Sequence, residues 1–266
     1  MFAFPLVLGF QILPDPASEE KPNRASVELS AVRQYWLPDF RGSLRVDGGN
    51  RAGSNLRLTH DLGVPDEAAI PMYGGGDISV TVRQTFSEKD RLLFSMEYWG
   101  YSWVGDKTLA TSETLGNQTF PAGAYVESHF HLTSLMLDAF LAHEEKPFRL
   151  GLSIPIHVIS ARSRMDSLTT SSRETVRDVG WGGGVFIDVR PIPLAFAGVT
   201  AKALTSFAHA GETVEEDVRA YAGLEWGPFR LEGGYRYIHY DLALPEKDLS
   251  YVLYGPYVAF SLILRF

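Results

Sequence analysis

The 266-residue sequence has no cysteine, no cluster of basic residues, and no apolar run approaching the ~20 residues of a membrane helix. Without cysteine, a disulfide scaffold and thiolate metal sites are excluded. The formal net charge of −8 argues against a nucleic-acid partner, which needs a basic surface to neutralise phosphates. A β-barrel membrane protein stays possible, because its lipid-facing residues alternate with polar ones and leave the average hydropathy ordinary.

The amino-terminal 24 residues differ in character from the rest of the chain. Residues 1–13 (MFAFPLVLGFQIL) are apolar, and residues 14–24 are polar with several prolines. The apolar stretch is typical of a secretory signal cleaved near Ala17-Ser18, although the basic residues that usually precede it are missing. We therefore expect a signal-like remnant and linker over 1–24 and a single domain over 25–266.

The last seventeen residues, 250–266, alternate strictly between two kinds of side chain. Val258, Phe260, Leu262 and Leu264 form one series, and the residues between and after them are Ala259, Ser261, Ile263 and Arg265. Successive side chains of a strand point to opposite faces. The pattern predicts a strand with one wholly apolar face.

Similar alternation recurs along the chain, with short polar turns and longer polar loops in turn, as in outer-membrane barrels. The predicted strands are 25–37, 77–86, 91–104, 124–142, 148–162, 176–190, 194–207, 217–226, 229–242 and 250–266. We expect an all-β fold, a closed antiparallel transmembrane β-barrel of ten strands. In this prediction 38–76 and 105–123 are loops; a strand at 54–64 would favour twelve strands, and eight is a further alternative.

The polar face of these strands is rich in full charges, which a transmembrane barrel must enclose. The residues predicted to face the lumen are Arg83, Glu97, Asp138, Arg149, Asp178, Asp188, Arg190, Arg219, Glu225, Arg230, Glu232 and Arg236. Charges of opposite sign in a narrow lumen should pair. A soluble lipocalin-like binding barrel, the alternative, would put the apolar face inside. Arg33 falls on the apolar face, which predicts either a bulge there or a position near the membrane interface.

Four short segments resemble those of a poorly characterised group of Gram-negative outer-membrane barrel proteins, small porin-like barrels of the OmpA or OmpW kind. They are His60-Asp61-Leu62-Gly63, the loop at 118–123, Gly234-Tyr235-Arg236-Tyr237, and the closing 255–266 segment. The resemblance implies an outer-membrane location and outer-membrane lipid as surroundings. It also implies that the terminal Phe266 is a signal for the barrel-assembly machinery. It implies no activity.

Residues that could carry chemistry are few. Glu127, His129 and His131 share one face of a predicted strand, where they are either polar rim residues or ligands of a divalent metal. Ser128 and Ser134 could serve an outer-membrane lipid-modifying hydrolase, but Ser128 lies on the face opposite the two histidines. We expect His157 to be a hydrogen-bonded interior group.

The sequence therefore predicts a protein that is not an enzyme and has no cofactor, no metal and no catalytic residue. It would be a surface or structural barrel with an ion-paired lumen, or a narrow conduit for a small solute. The lipid-modifying hydrolase and the soluble binding barrel are the alternatives.

Overall fold

The structure is a computed structural model that describes residues 27–48, 52–61, 63, 70–71, 77–85, 89–208 and 213–265. The predictions made for residues 1–24 and for Phe266 lie outside the described residues. No helix in the described part of the chain is long and apolar enough to cross a membrane.

The described chain is all-β, as the alternation predicts. The strands are β1 (Val27–Trp36), β2 (Asp39–Val46), β3 (Leu56–Arg57), β4 (Ile70–Pro71), β5 (Asp77–Thr85), β6 (Asp90–Thr108), β7 (Glu113–Leu115), β8 (Gln118–Phe120), β9 (Tyr125–Glu145), β10 (Phe148–Asp166), β11 (Ser171–Ile192), β12 (Ala195–Ser206), β13 (Thr213–Trp226), β14 (Phe229–Ala243) and β15 (Lys247–Arg265). Every predicted strand has a counterpart here, and several run further than predicted. The prediction of a loop throughout 38–76 is wrong, because β2 lies within it.

The strands pair in the order β1-β5-β6-β9-β10-β11-β12-β13-β14-β15, all antiparallel, and β15 also pairs with β1. Each strand of this series therefore has two hydrogen-bonded neighbours. Because β2 continues the register of β1 along β15, from Glu28↔Arg265 to Lys247↔Val46, the two form one long strand interrupted at Pro38. Proline lacks an N–H for the ladder, which explains why the sequence pattern breaks there.

The two ends of the sheet differ. We call the end with the tight connections at 146–147, 193–194 and 227–228 the turn end, and the opposite end the loop end. At the loop end, β3 pairs with β2 and buries Leu56 and Leu58, while the β7–β8 hairpin buries Leu115 and Phe120. The described residues 54–61 are thus a loop with a two-residue strand, packed over this end.

The tip of the β7–β8 hairpin fits against β11 through a glycine. Gly116 has φ +57°, and a Cβ there would lie 2.0 Å from Oε1 of Glu174. Its N–H donates to the carbonyl of Val46 at 3.1 Å, so the hairpin is tied to β2 as well. The long 105–123 segment, predicted as a loop, is therefore an ordered cover.

The two faces of the long strands have opposite environments near the turn end. Ile154 is 64% exposed and Val185 is 50% exposed, whereas the side chain of Arg236 is fully buried. Apolar side chains point outward and charged ones inward, the reverse of a lipocalin-like barrel.

Arg33 is an exception on the outward face. Its register with Phe260 is continuous with the rest of β1, so the predicted bulge is wrong. Its guanidinium lies 5.5 Å from the ring centroid of Tyr35, within range of a cation–π contact.

Candidate functional site: the interior of the sheet

The interior near the turn end is lined by charged residues. The structure places these predicted residues on the inward face: Glu97, Asp138, Arg149, Asp178, Asp188, Arg190, Arg219, Glu225, Arg230, Glu232 and Arg236. The side chain of Arg83 lies outside the described residues. These residues come from six strands. Because alternate side chains of a strand point to the same face, all of them line the same interior.

The centre of this interior is a four-residue network of two arginines and two acids. Arg236 donates to Asp217 through two nitrogens, at 3.1 and 2.8 Å, and also to Glu97. Arg219 donates to both oxygens of Glu97, at 3.1 and 3.0 Å. Such charge-assisted, partly bidentate bonds hold both side chains in fixed positions.

The remaining interior charges are paired in a similar way. The ion pairs are Arg149 with Asp188, Lys202 with Asp138 at 2.7 Å, Arg190 with Glu225 at 3.1 Å, and Arg230 with Glu232. Asp178 instead accepts hydrogen bonds from Ser206 and Tyr240.

Tyrosines complete this network, and sequence reasoning missed them. The hydroxyl of Tyr257 donates to Glu232 at 2.6 Å, and that of Tyr221 donates to Asp188. Tyr221 and Tyr257 lie on the charged faces of β13 and β15, and this position in the alternation is the sequence signal that could have identified them.

A cavity of about 220 Å³ lies among these residues, on the turn-end side of the central network. Glu28, Arg230, Glu232 and Ile263, all close to the turn end, contribute to its wall, and Arg219 and Asp217 line it further in. The cavity is large enough for several waters or one small polar solute.

The interior near the loop end has the opposite character, since it is a packed aromatic cluster. Phe40 stacks on Trp103 with ring centroids 4.3 Å apart and on Phe130 at 5.4 Å. Trp36 and Trp99 contact edge to face at 6.2 Å. All five side chains are at most 2% exposed, so they fill this half of the interior. The sequence did not predict a hydrophobic plug, because these residues share the parity of the inward charges.

Ser134, His157 and Glu215 form a hydrogen-bonded chain between the two zones. Ser134 Oγ lies 2.5 Å from His157 Nε2, and His157 Nδ1 lies 2.6 Å from Glu215 Oε2. His157 is the hydrogen-bonded interior group that the sequence predicts. The order of groups is that of a nucleophile, a base and an orienting acid. All three side chains are nearly fully buried, and the small void beside them holds no water-sized volume.

Glu127, His129 and His131 lie on the outward face of β9, near the loop end. His129 Nε2 is 3.0 Å from Glu127 Oε1, and the two imidazole rings are stacked with centroids 6.4 Å apart. Within the described residues, no group of three or more His, Asp or Glu side chains is arranged to hold a metal ion.

The His60-Asp61 segment also lies at the loop end. His60 Nδ1 is 2.6 Å from Asp61 Oδ1, and the Arg57 side chain donates to the same carboxylate. Partial burial raises the pKa of Asp61, but the bonds to His60 and Arg57 outweigh it, so the pKa lies below its usual value. The segment is held as a local charged turn.

No protein-family model and no curated protein matches the sequence. Several solved structures have a similar fold. The translocator domain of the autotransporter NalP from Neisseria meningitidis is 11% identical, with 90% of this chain and 89% of that chain covered and a TM-score of 0.39. Ail, the attachment invasion locus protein of Yersinia pestis, is 8% identical, with 90% and 100% covered and a TM-score of 0.37.

An outer membrane channel from Pseudomonas putida F1 is 9% identical, with 96% of this chain and 100% of that chain covered and a TM-score of 0.33. At these identities and TM-scores the likeness supports no statement about function.

Proposed function

We propose that this chain is a closed, ten-stranded β-barrel of the Gram-negative outer membrane, and that it is a structural or surface barrel without an open pore. The observation that carries the proposal is the inversion of polarity along the strands. Near the turn end the outside is aliphatic and the inside is ionic, while near the loop end the inside is a hydrophobic core. An aliphatic outer band suits hydrocarbon, and a polar outer wall suits water.

The pairing supports closure into a barrel. Because β1 pairs with β5 on one edge and with β15 on the other, the series of described strands has no free edge strand near the turn end. In hydrocarbon an unpaired edge would leave backbone N–H and C=O groups unsatisfied, at a cost of several kcal/mol each. The short connections lie at the turn end, which favours a periplasmic position for that end.

The packed aromatic cluster near the loop end argues for a closed barrel and against a conduit. A solute leaving the 220 Å³ cavity toward the loop end would first meet the Arg236 and Arg219 network and then Trp36, Trp99 and Trp103. The covers formed by 52–61 and by β7–β8 add further buried apolar side chains above these rings. The charges of the network serve to hold the barrel in register, since each is paired.

Planar-bilayer recording tests the closed state directly. We expect purified, refolded protein to insert without discrete conductance steps, while a general porin in the same bilayer gives them. Stable steps that are altered by Arg219→Ala would show a path through the network and overturn the proposal in favour of a conduit.

Single-cysteine labelling tests from which side of the membrane the cavity can be reached. The chain has no native cysteine, so no background labelling is expected. Ser95→Cys and Thr200→Cys place a thiol in the cavity wall, and Thr169→Cys places one in an exposed turn at the loop end. With oriented vesicles, an impermeant maleimide should reach the first two thiols from the turn side alone, and the third from the loop side alone. Equal labelling of Ser95→Cys from both sides would contradict a closed barrel.

A serine hydrolase is the second candidate, favoured by the Ser134–His157–Glu215 chain. Its weakness is access, because the three groups lie in packed interior with no room for an acyl group. A fluorophosphonate probe, which reacts with the nucleophilic serine of serine hydrolases, tests whether Ser134 is reactive. We expect no labelling of folded protein, and labelling that disappears with Ser134→Ala would establish the hydrolase instead.

A further inference from the structure

The outer wall of β9, β10 and β11 carries a group of arginine and histidine side chains just beyond the aliphatic band. The group, here called the basic patch, consists of His129, His131, Arg162, Arg164, Arg173 and Arg177. The register brings them together: His131 pairs with Arg162, His129 with Arg164, and Arg164 in turn with Arg173. All four arginines are exposed.

The patch begins where the apolar surface ends. On β11, Val179 lies one outward position from Arg177 toward the turn end. Val158 and Leu135, which belong to the same row across the sheet, lie two outward positions from Arg162 and His131. Outward residues on a strand are two apart, about 6.6 Å along the strand. The first guanidinium groups of the patch therefore lie at the level of the lipid headgroups on the loop side.

Three arginines of the patch lack an acidic partner. Among the described residues, Arg164 pairs with Asp166 at 2.7 Å, but no hydrogen bond or ion pair engages Arg162, Arg173 or Arg177. Like charges directly opposite each other in a sheet are unfavourable, and Arg164 faces Arg173 across the β10–β11 ladder. A bound anion between these strands would remove that repulsion.

The acids near the patch engage only part of it. Asp106, Glu127 and Asp166 form the next outward row toward the loop end, where Glu127 contacts His129, Asp166 contacts Arg164, and Tyr125 donates to Asp106. Glu246 lines a pocket with Arg177, with no ion pair between these two described residues.

The outward faces of β13, β14 and β15 offer a contrast. In the loop half, the outward positions of β13, β14 and β15 include Glu216, Asp241 and Asp248. A general attraction to anionic lipid would not require these arginines to be grouped on neighbouring strands. The grouping on β10 and β11 indicates a site for one lipid on the β9–β11 side.

We propose that the basic patch binds the phosphate groups of a phosphorylated glycolipid in the outer leaflet, with its acyl chains against Leu135, Val158 and Val179. The inference rests on the outer-membrane placement proposed above. Planar guanidinium groups suit phosphate, because each presents two parallel N–H donors to two oxygens. Four arginines on two adjacent strands, β10 and β11, suit a headgroup with more than one phosphate.

The test compares lipids that differ only in phosphate. Protein in detergent micelles is mixed with bisphosphorylated lipid A, with its dephosphorylated form, or with inorganic phosphate, and binding is followed by native mass spectrometry and by melting temperature. We expect bisphosphorylated lipid A to bind and to raise the melting temperature, and neither other probe to do so. Equal binding of the dephosphorylated lipid, or full competition by inorganic phosphate, would overturn the site.

Matched variants locate the binding. Arg162→Gln/Arg173→Gln/Arg177→Gln should weaken lipid A binding about tenfold or more, because three charge-assisted contacts are removed. Arg41→Gln/Arg45→Gln/Arg57→Gln removes the same charge from the β2–β3 side and should leave binding unchanged. Equal loss in both variants would show only nonspecific attraction and sink the proposal.

Bilayer insertion separates this proposal from the proposed function. The patch variant should still fold and insert, which is seen as heat-modifiable migration on a gel. Insertion without any preference for phosphorylated lipid rejects the patch alone. Failure of the unaltered chain to insert rejects the outer-membrane placement, and the lipid site with it.

Discussion

The turn half and the loop half of this sheet share strands and alternation but reverse their sidedness. On β9, Leu137 and Leu141 of the turn half are exposed and Asp138 is buried, whereas in the loop half Phe130 and Leu132 are buried. The polarity of each face is set by what surrounds it. A period of two fixes which residues share a face, but it does not fix which face is inside.

The two interiors are stabilised by different forces. In the loop half, water outside drives apolar side chains inward, as in a soluble protein. In the turn half, hydrocarbon outside removes that driving force, and the interior can keep charges provided that each is paired. Where the halves meet, the Arg236 guanidinium lies 5.2 Å from the ring of Trp36, so the ionic and aromatic zones are in direct contact.

A charge placed in the aromatic zone should have the largest effect. Leu132→Arg puts an unpaired cation into an apolar interior, so we expect a loss of about 5 kcal/mol or more and no folded protein. Refolding yield, read as heat-modifiable migration, is the measurement. Folded Leu132→Arg protein with native stability would contradict a dry core in the loop half.

Removing a charge from the ionic zone should come next. Arg236→Ala leaves Asp217 and Glu97 buried with fewer partners, so we expect a loss of about 3–5 kcal/mol in the free energy of unfolding in lipid vesicles. Arg230→Ala, at the wall of the cavity where water reaches, is the control and should cost less. If Arg236→Ala were neutral, the central network would not be a structural element.

The outward faces of the two halves provide a comparison on one strand. Leu137→Arg faces hydrocarbon and should cost about 2–4 kcal/mol, while Thr133→Arg lies beyond the band and should cost only about 0–1 kcal/mol. Both are measured by urea unfolding in vesicles. Equal costs would mean that no membrane boundary lies between the two positions.

Most strands and the ionic interior could be predicted from sequence. Residues 148–158 alternate without a break, and most charges of β13 and β14 fall on the inward face, with Glu216 and Asp241 as exceptions. The full extent of β10 and β11 could not be predicted, because these strands continue past the point where the apolar outward series stops. Arg164 and Arg173 then look like loop residues, although they are outward positions of a strand.

The aromatic plug and the long first strand escaped prediction for other physical reasons. Trp99 and Trp103 follow Glu97 at intervals of two, so periodicity alone assigns them to a charged lumen. Pro38 hides the continuity of β1 and β2, which depends on pairing with distant β15. The Ser134–His157–Glu215 chain joins residues on three strands, and only the tertiary fold shows which of the serines meets a histidine.

The smallest predicted effect concerns the cover over the loop half. Since the pKa of Asp61 lies below its unfolded value, its contribution is complete above the unfolded pKa and is lost as the pH falls through the folded pKa. The Arg57–Asp61 pair is largely exposed, so the contribution is about 0.2–1 kcal/mol. The protection factor of the Arg57 amide, whose N–H donates to Asp61, should therefore fall as the pH is lowered through the range in which Asp61 becomes protonated. Asp61→Asn should remove that pH dependence while leaving exchange in β9 unchanged. If both regions responded alike, the cover and the barrel would open as one unit, and the loop half could not be treated as a separate layer.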